Sequence, residues 1–247
     1  MVLPLYDDNP FKLPVRPIVT WLLILTNILV FVVEISGEND VDILSGAFGV
    51  TPASLLGGGP AGLPPPVLTL VTYMFVHADI GHIFGNMIFL WVFGDDVEEA
   101  LGRGRFLLFY LICGVVGALV FVASDPTMQG PLIGASGAIS GVVIAYAMLR
   151  PCAKVTVLFA VIPLRISAFW VIGIFVLTQL VNLEAAGKSD VAYWCHLGGM
   201  LTGAALFPFM RLRGVQLFEC VREPHYPVMP SPVMPTRPDR PDLEPRG

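Results

Sequence analysis

The chain has 247 residues, 55% of them hydrophobic and 13% charged, with a mean hydropathy of +0.75. Soluble globular domains carry about twice that charged fraction, so the composition excludes an ordinary soluble domain and implies an integral membrane protein. The net charge of −5 is spread over connectors without a basic block, which argues against a nucleic-acid partner and against a polybasic lipid anchor.

The N-terminal 1–16 reads as a short cytoplasmic segment before the apolar run "PIVTWLLILTNILVFVVEIS", which starts at Pro17. That run is too long for a signal-peptide core and is followed by no small-residue cleavage site, so it is expected to stay as an anchor. Six apolar runs of spanning length are predicted at about 17–36, 81–100, 106–124, 133–149, 166–183 and 193–210. The expected fold class is therefore all-α, a polytopic membrane protein with a six-transmembrane-helix bundle.

The connector from 37 to 80 contains "LLGGGPAGLPPP", and its later apolar stretch "VLTLVTYMFV" is cut from the second span by "HAD", so part of it is expected in the outer interface. The second span is apolar only to Gly94 and amphipathic after it. Between the fourth and fifth spans, "VTVLFAVIPLRI" is apolar, but Pro163 and Arg165 argue against a continuous span, and a short cytoplasmic-side element is predicted. From about 212 to 247 the chain is expected to be a disordered, proline-rich cytoplasmic tail in which "PVMP" occurs twice. The cysteines at 113, 152, 195 and 220 show no paired spacing and read as packing residues, without a disulfide framework or zinc knuckle.

Lysine and arginine are distributed one-sidedly. The segments containing the two termini and every second connector hold 13 of the 14 basic residues, and the opposite set holds only Lys188. By the positive-inside rule both termini are expected in the cytoplasm, with the cell (plasma) membrane as the location.

Polar side chains within the spans fall at one depth. The second span starts with His82 and Asn86, which at i and i+4 share a helix face; the fourth carries Ser136, and the sixth carries His196, each about one turn in from the outer side. Taken singly, His82 could be a residue capped by Asp79, Asn86 an interhelical hydrogen bond and Ser136 a packing residue. Jointly they point to a site, because intramembrane polar groups are costly unless they face a cavity.

Gly137 and Gly141 on the fourth span, with Gly199 and Gly203 on the sixth, have the small-x3-small spacing that allows two helix backbones to approach closely. Close approach would let His196 serve as base to Ser136, which needs one to act as a nucleophile. The Ser136 amide at a helix start, with His82 and Asn86, could donate to a developing oxyanion. No carboxylate lies at the right depth to orient His196, since Glu184 and Asp190 fall in the preceding connector, so a dyad is predicted rather than a triad. A metal site at His77, Asp79, His82 and His196 is the disfavoured alternative, for want of an H-E-x-x-H pattern.

These residues resemble the rhomboid intramembrane serine proteases, over almost all of 66–210. The motifs are "GASG" at 134–137 for G-x-S-G, "HADIGHIFGN" at 77–86 for H-x4-H-x3-N, and "HLGGMLTG" at 196–203 for H-x-G-G-x3-G. "FGDDVEEALGRGRF" follows the second span, with Glu98, Gly102 and Arg105 in the expected places. The resemblance implies a catalytic membrane domain over 17–211. In it Ser136 is the nucleophile, and His196 is the base and then the acid. His82, Asn86 and the Ser136 amide form the oxyanion hole, supported by His77, Gly134, Gly137, Gly199 and Gly203.

It implies further that Glu98 and Arg105 hold the cytoplasmic end together and that the fifth span gates lateral access. Transmembrane protein substrates would be cut near the outer face, within the lipid bilayer and without cofactor, metal or nucleic acid. Three departures stand out. Ser140 replaces an aromatic ring that stacks on the base in some members, so His196 is expected to be held differently. Cys195 replaces an alanine, and the Trp-Arg pair of some first loops is absent.

Two other readings fit the composition. A catalytically silent rhomboid-like protein that binds membrane proteins for quality control would be expected to lack Ser136 or His196. A solute transporter would show inverted repeats, and none is visible.

Overall fold

The computed structural model describes residues 2–7, 16–36, 41–57, 64–159, 162–183 and 192–220. The chain runs β1 (Val2–Asp7), α1 (Ile18–Ser36), α2 (Val41–Phe48), α3 (Pro52–Gly57), α4 (Pro66–Thr72) and a single 3-10 turn (Tyr73–Phe75). It continues with α5 (Ile80–Leu101), α6 (Arg103–Ser124), α7 (Ser136–Leu149), β2 (Lys154–Phe159), β3 (Ile162–Ser167), α8 (Ala168–Val181) and α9 (Tyr193–Met210).

Helix α1 shows the inside-out pattern of a lipid-facing element. Its buried stripe is Thr20, Leu23, Asn27, Phe31 and Glu34, at helical spacing and rich in polar groups. Its exposed face is Leu22, Leu25, Leu29, Val32 and Val33. The polar stripe is anchored at one end by Glu98 of α5, whose fully buried carboxylate accepts from the backbone amides of Val19 and Thr20 at 3.0 and 2.7 Å and from the Thr20 hydroxyl at 2.8 Å. A carboxylate on the free amides of a helix start satisfies donors that the helix cannot, and is favoured by the helix dipole.

Helix α5 starts on an Asp79 cap, whose Oδ1 accepts from the His82 amide at 2.8 Å, and ends at Gly102. Gly102 has φ +75°, the left-handed region glycine tolerates, and α6 begins on the next residue. Arg105 of α6 then donates to the Met210 carbonyl at 3.1 Å, fixing the end of α9. Helix α7 lies at the centre, buried along nearly its whole length and packed by α5, α6 and α9. Helix α8 lies outside them and buries only Ala168, Val171, Ile172 and Gln179.

Several sequence expectations change. Helices α1 and α6 are long and apolar enough to cross a membrane, and the pair Pro66–Phe75 and Ile80–Leu101 qualifies only if joined across an 81° bend. Helices α7 and α8, with 14 residues each, rise about 21 Å, short of a hydrocarbon core of roughly 30 Å. By length and composition the described helices supply two full-length spans, or three if the bent pair is joined. The expected span from 133 also starts later: 131–135 is a loop in which Leu132 bridges to Val50, so Ser136 is the first helical residue.

The fold is not purely helical either. The apolar stretch after Lys154 is a β-hairpin whose first strand also pairs antiparallel with β1, giving a three-stranded sheet of order β1-β2-β3. The β-branched "VTV" sits on the central strand, and Pro163 is tolerated because β3 is an edge. Asp7 of β1 accepts from the Tyr146 hydroxyl at 2.5 Å, tying the sheet to α7.

The first residues of the predicted tail, 212–220, pack back on the bundle. Leu212 donates its amide to Ala100 at 2.8 Å and Phe218 donates to Met148 at 2.6 Å. Cys220 is disulfide-bonded to Cys152, which corrects the reading of these two cysteines as packing residues, whereas Cys113 and Cys195 are buried free thiols. Spacing along the chain could not reveal a pair 68 residues apart. Residues 221–247 lie outside the described residues.

Candidate active site

The starts of α5, α7 and α9 meet at the end of the bundle opposite the sheet. The Ser136 Oγ lies 2.7 Å from His196 Nε2, although the two residues are 60 apart in sequence. The glycines make this approach possible. A Cβ on Gly199 would collide with the Gly137 carbonyl oxygen, one on Gly203 would come within 2.5 Å of the Gly141 oxygen, and one on Gly137 would meet Cys195 Sγ at 2.5 Å. Helices α7 and α9 thus touch backbone to backbone, a contact that any larger side chain would hold apart.

Gly134 has φ +106° and sits against the other side of the site, where an added Cβ would stand 2.5 Å from His82 Nε2 and 3.5 Å from Asn86 Nδ2. Its amide donates to the Tyr73 carbonyl at 2.9 Å, which pins the "GASG" loop to the 3-10 turn. His82 and Asn86 lie along α5 beside this loop. Asn86 is buried, and its Nδ2 has no hydrogen-bond partner among the described residues. The Ser136 amide belongs to the first turn of α7, where helix geometry leaves N–H groups without an intrahelical acceptor. His82 and Asn86 thus flank Gly134, two residues before the serine.

His77 is fully buried and does not touch Ser136. Its ring meets the His82 ring edge-on at 5.1 Å, its Nδ1 lies 3.3 Å from the Phe75 carbonyl, and its amide donates to Glu34 at 3.3 Å. Asp79 serves as the α5 cap described above. Ser140 donates to the Ser136 carbonyl at 2.7 Å, and Cys195 faces the Tyr73 hydroxyl at 3.6 Å.

His196 is held from two sides. Its Nδ1 lies 2.7 Å from Oε1 of Gln179 on α8, and the Tyr193 ring stands edge-on at 6.3 Å. Sequence reasoning missed Gln179, and also Glu34. The signal was present: a glutamine in "AFWVIGIFVLTQLV" and a glutamate in "IVTWLLILTNILVFVVEIS" are intramembrane polar residues of the kind that mark sites. The partner of His196 is a neutral acceptor and not a carboxylate.

Residues 65–213 match the family model described as the Rhomboid domain. The chain is 31% identical over 161 residues to the mitochondrial RHOMBOID-like protein 12 of Arabidopsis thaliana, covering 58% of this chain and 46% of that protein. It is 36% identical over 127 residues to the rhomboid protease GluP of Bacillus subtilis, covering 51% and 23%. Against the mitochondrial presenilin-associated rhomboid-like protein A of Danio rerio it is 36% identical over 144 residues, covering 55% and 36%. The matched stretch spans less than half the length of each relative.

The mitochondrial relatives overturn the expected plasma-membrane location. The lysine and arginine asymmetry carries no name for the membrane: it records which side retains positive charge, and different energised membranes impose the same bias.

Proposed function

Since the chain belongs to the rhomboid family, we propose that it is an intramembrane serine endopeptidase that cleaves transmembrane protein substrates by a Ser136–His196 dyad. The observation that carries this reading is the 2.7 Å contact of Ser136 Oγ with His196 Nε2, with the buried Asn86 Nδ2, unpartnered among the described residues, against nearby Gly134. The printed name of the Bacillus relative, a protease, supports it at the level of the family. The membrane domain is read as a six-helix bundle of α1, α5, α6, α7, α8 and α9, in which the short α7 is sheathed by protein and need not match the lipid. The cut falls near the membrane face where α5, α7 and α9 begin.

In this mechanism the Ser136 hydroxyl donates its proton to His196 Nε2 as Oγ attacks the scissile carbonyl. The oxyanion is met by the Ser136 amide, Asn86 Nδ2 and the His82 ring, and each such donor is worth roughly 3–4 kcal/mol in comparable enzymes. His196 then hands its proton to the leaving amine, and a water activated by the same nitrogen releases the acyl group. His77 supports His82, while Gly134, Gly137, Gly199 and Gly203 set the close approach. No cofactor is required by these steps.

A helical substrate offers carbonyls that are already hydrogen-bonded, so good substrates are expected to carry small or helix-breaking residues at the cleaved boundary. Replacing them by leucine in a cleaved reporter is expected to stop cutting, and unchanged cleavage would refute the need for unwinding.

The deciding experiment is covalent labelling of the purified, detergent-solubilised protein by a fluorophosphonate probe, with Ser136→Ala and His196→Ala as comparisons. Labelling that needs both residues supports the protease. Folded wild-type protein that never labels would point instead to a silent membrane-protein binding or quality-control factor.

A further inference from the structure

Helix α8 is the outermost helix around the site, and its two polar residues near the site behave differently. Thr178 is exposed and bonds back to the Phe175 carbonyl at 2.7 Å. Gln179 is only 7% exposed and points inward, its Oε1 2.7 Å from His196 Nδ1. The other end of its amide lies 3.4 Å from the Phe175 carbonyl and 3.4 Å from Thr178 Oγ1. Reversing the amide would set its oxygen against the Phe175 carbonyl oxygen, two acceptors face to face, so the network selects one orientation.

An amide oxygen only accepts. The 2.7 Å contact therefore requires the proton of neutral His196 to sit on Nδ1, which leaves the lone pair on Nε2, facing Ser136 Oγ. The opposite tautomer would direct an N–H at the serine and could not take its proton. We propose that Gln179 is the positioning residue of the dyad. It fixes the tautomer and plane of His196 from α8, so that the dyad is competent only while α8 is docked against α9. The inference rests on the protease reading. It assigns a third member to the site, a neutral one borne by a helix that carries neither nucleophile nor base.

Among the described residues, the titratable groups facing the His196 ring are His82 from α5 and Tyr193 from its own helix, while α7 presents Ser136 and α8 presents Gln179. Changing residue 179 to a carboxylate thus changes one charge in an otherwise constant setting.

The test measures fluorophosphonate labelling rate against pH in the full chain for wild type, Gln179→Met and Gln179→Glu. Wild-type protein is also examined by proton NMR for a downfield imidazole N–H. Methionine keeps the length and removes the acceptor, and labelling is expected to slow on the order of tenfold to a hundredfold, as when partners that orient a histidine are lost elsewhere. Glutamate keeps the acceptor and adds charge that favours imidazolium. The acid limb of its pH profile is expected to move up by about one unit or more, with the plateau retained.

A Gln179→Met protein that labels at the wild-type rate overturns the proposal. So does a Gln179→Met loss accompanied by an unmoved profile in a folded Gln179→Glu protein, which marks a packing role alone. Should the glutamate variant not fold, the downfield N–H decides: its presence in wild type and absence in Gln179→Met supports the proposal, and any other pattern overturns it. Wild-type protein that never labels removes the protease reading and this inference together, an outcome distinct from a labelled wild type with indifferent Gln179 variants.

Discussion

Asn86 and Gly134 show how little room single residues have at this site. The Asn86 Nδ2 is buried without a partner among the described residues, an arrangement that costs stability unless a ligand oxygen repays it. Asn86→Ala is expected to lower the rate of peptide cleavage on the order of 100- to 1,000-fold while leaving the thermal midpoint unchanged or raised. Paired rate and melting measurements check this, and a fall in both would make Asn86 a packing residue.

Gly134→Ala is expected to lower stability as well as activity. With φ +106° and a Cβ 2.5 Å from His82 Nε2, it strains the loop and displaces the ring, so fluorophosphonate labelling and melting temperature are both expected to drop. The serine, the histidines and the asparagine were legible in the sequence because their motifs are local. Gln179 was visible as an intramembrane polar residue, but its partner was not, because that arises from where α8 docks.

Helices and strands here are joined by a few directed contacts. Glu98 holds the start of α1 through two amides and the Thr20 hydroxyl, so Glu98→Ala leaves the two buried Thr20 donors unmet, at about 1–3 kcal/mol each, and the half-buried Val19 amide besides. A large loss of thermal stability is expected. Thr20→Val added to Glu98→Ala is expected to cost little more, a non-additivity that a double-mutant cycle reads directly.

Strand β1 provides the pH dependence. Burial pushes the Asp7 carboxyl above its ordinary value of 3.8, against the opposing effect of the Tyr146 hydrogen bond. A carboxyl raised on docking binds its proton more tightly docked than free, so docking is strongest at low pH and weakens as pH rises from 3.8 through the raised value. Hydrogen exchange of residues 2–7 is expected to quicken over that window, and Asp7→Asn is expected to flatten the trend. The main helices were legible from apolar runs and glycine spacing. The sheet was not, since a six-residue apolar strand has no period that separates it from a short helix.

At the scale of the whole molecule, the two ends of the bundle do different work. One holds the proposed dyad, and the other holds the sheet, the Arg150–Asp96 ion pair at 3.3 Å and the Cys152–Cys220 bridge. Reduction is therefore expected to lower the melting temperature while leaving the fluorophosphonate labelling rate at ambient temperature near its oxidised value, as thermal and labelling assays with and without reductant would report. Overall helical membrane character followed from composition, whereas the folding back of 212–220 did not, because it depends on hydrogen bonds to Ala100 and Met148 that no local pattern announces.

The bridge also changes the connectivity of the chain. Residues 152–220 become a closed ring that contains α8, α9, Gln179 and His196, while Ser136 lies on the linear part outside it. A single nick anywhere in that ring opens a loop without releasing a fragment, so the clipped protein would migrate as one species until its disulfide is reduced.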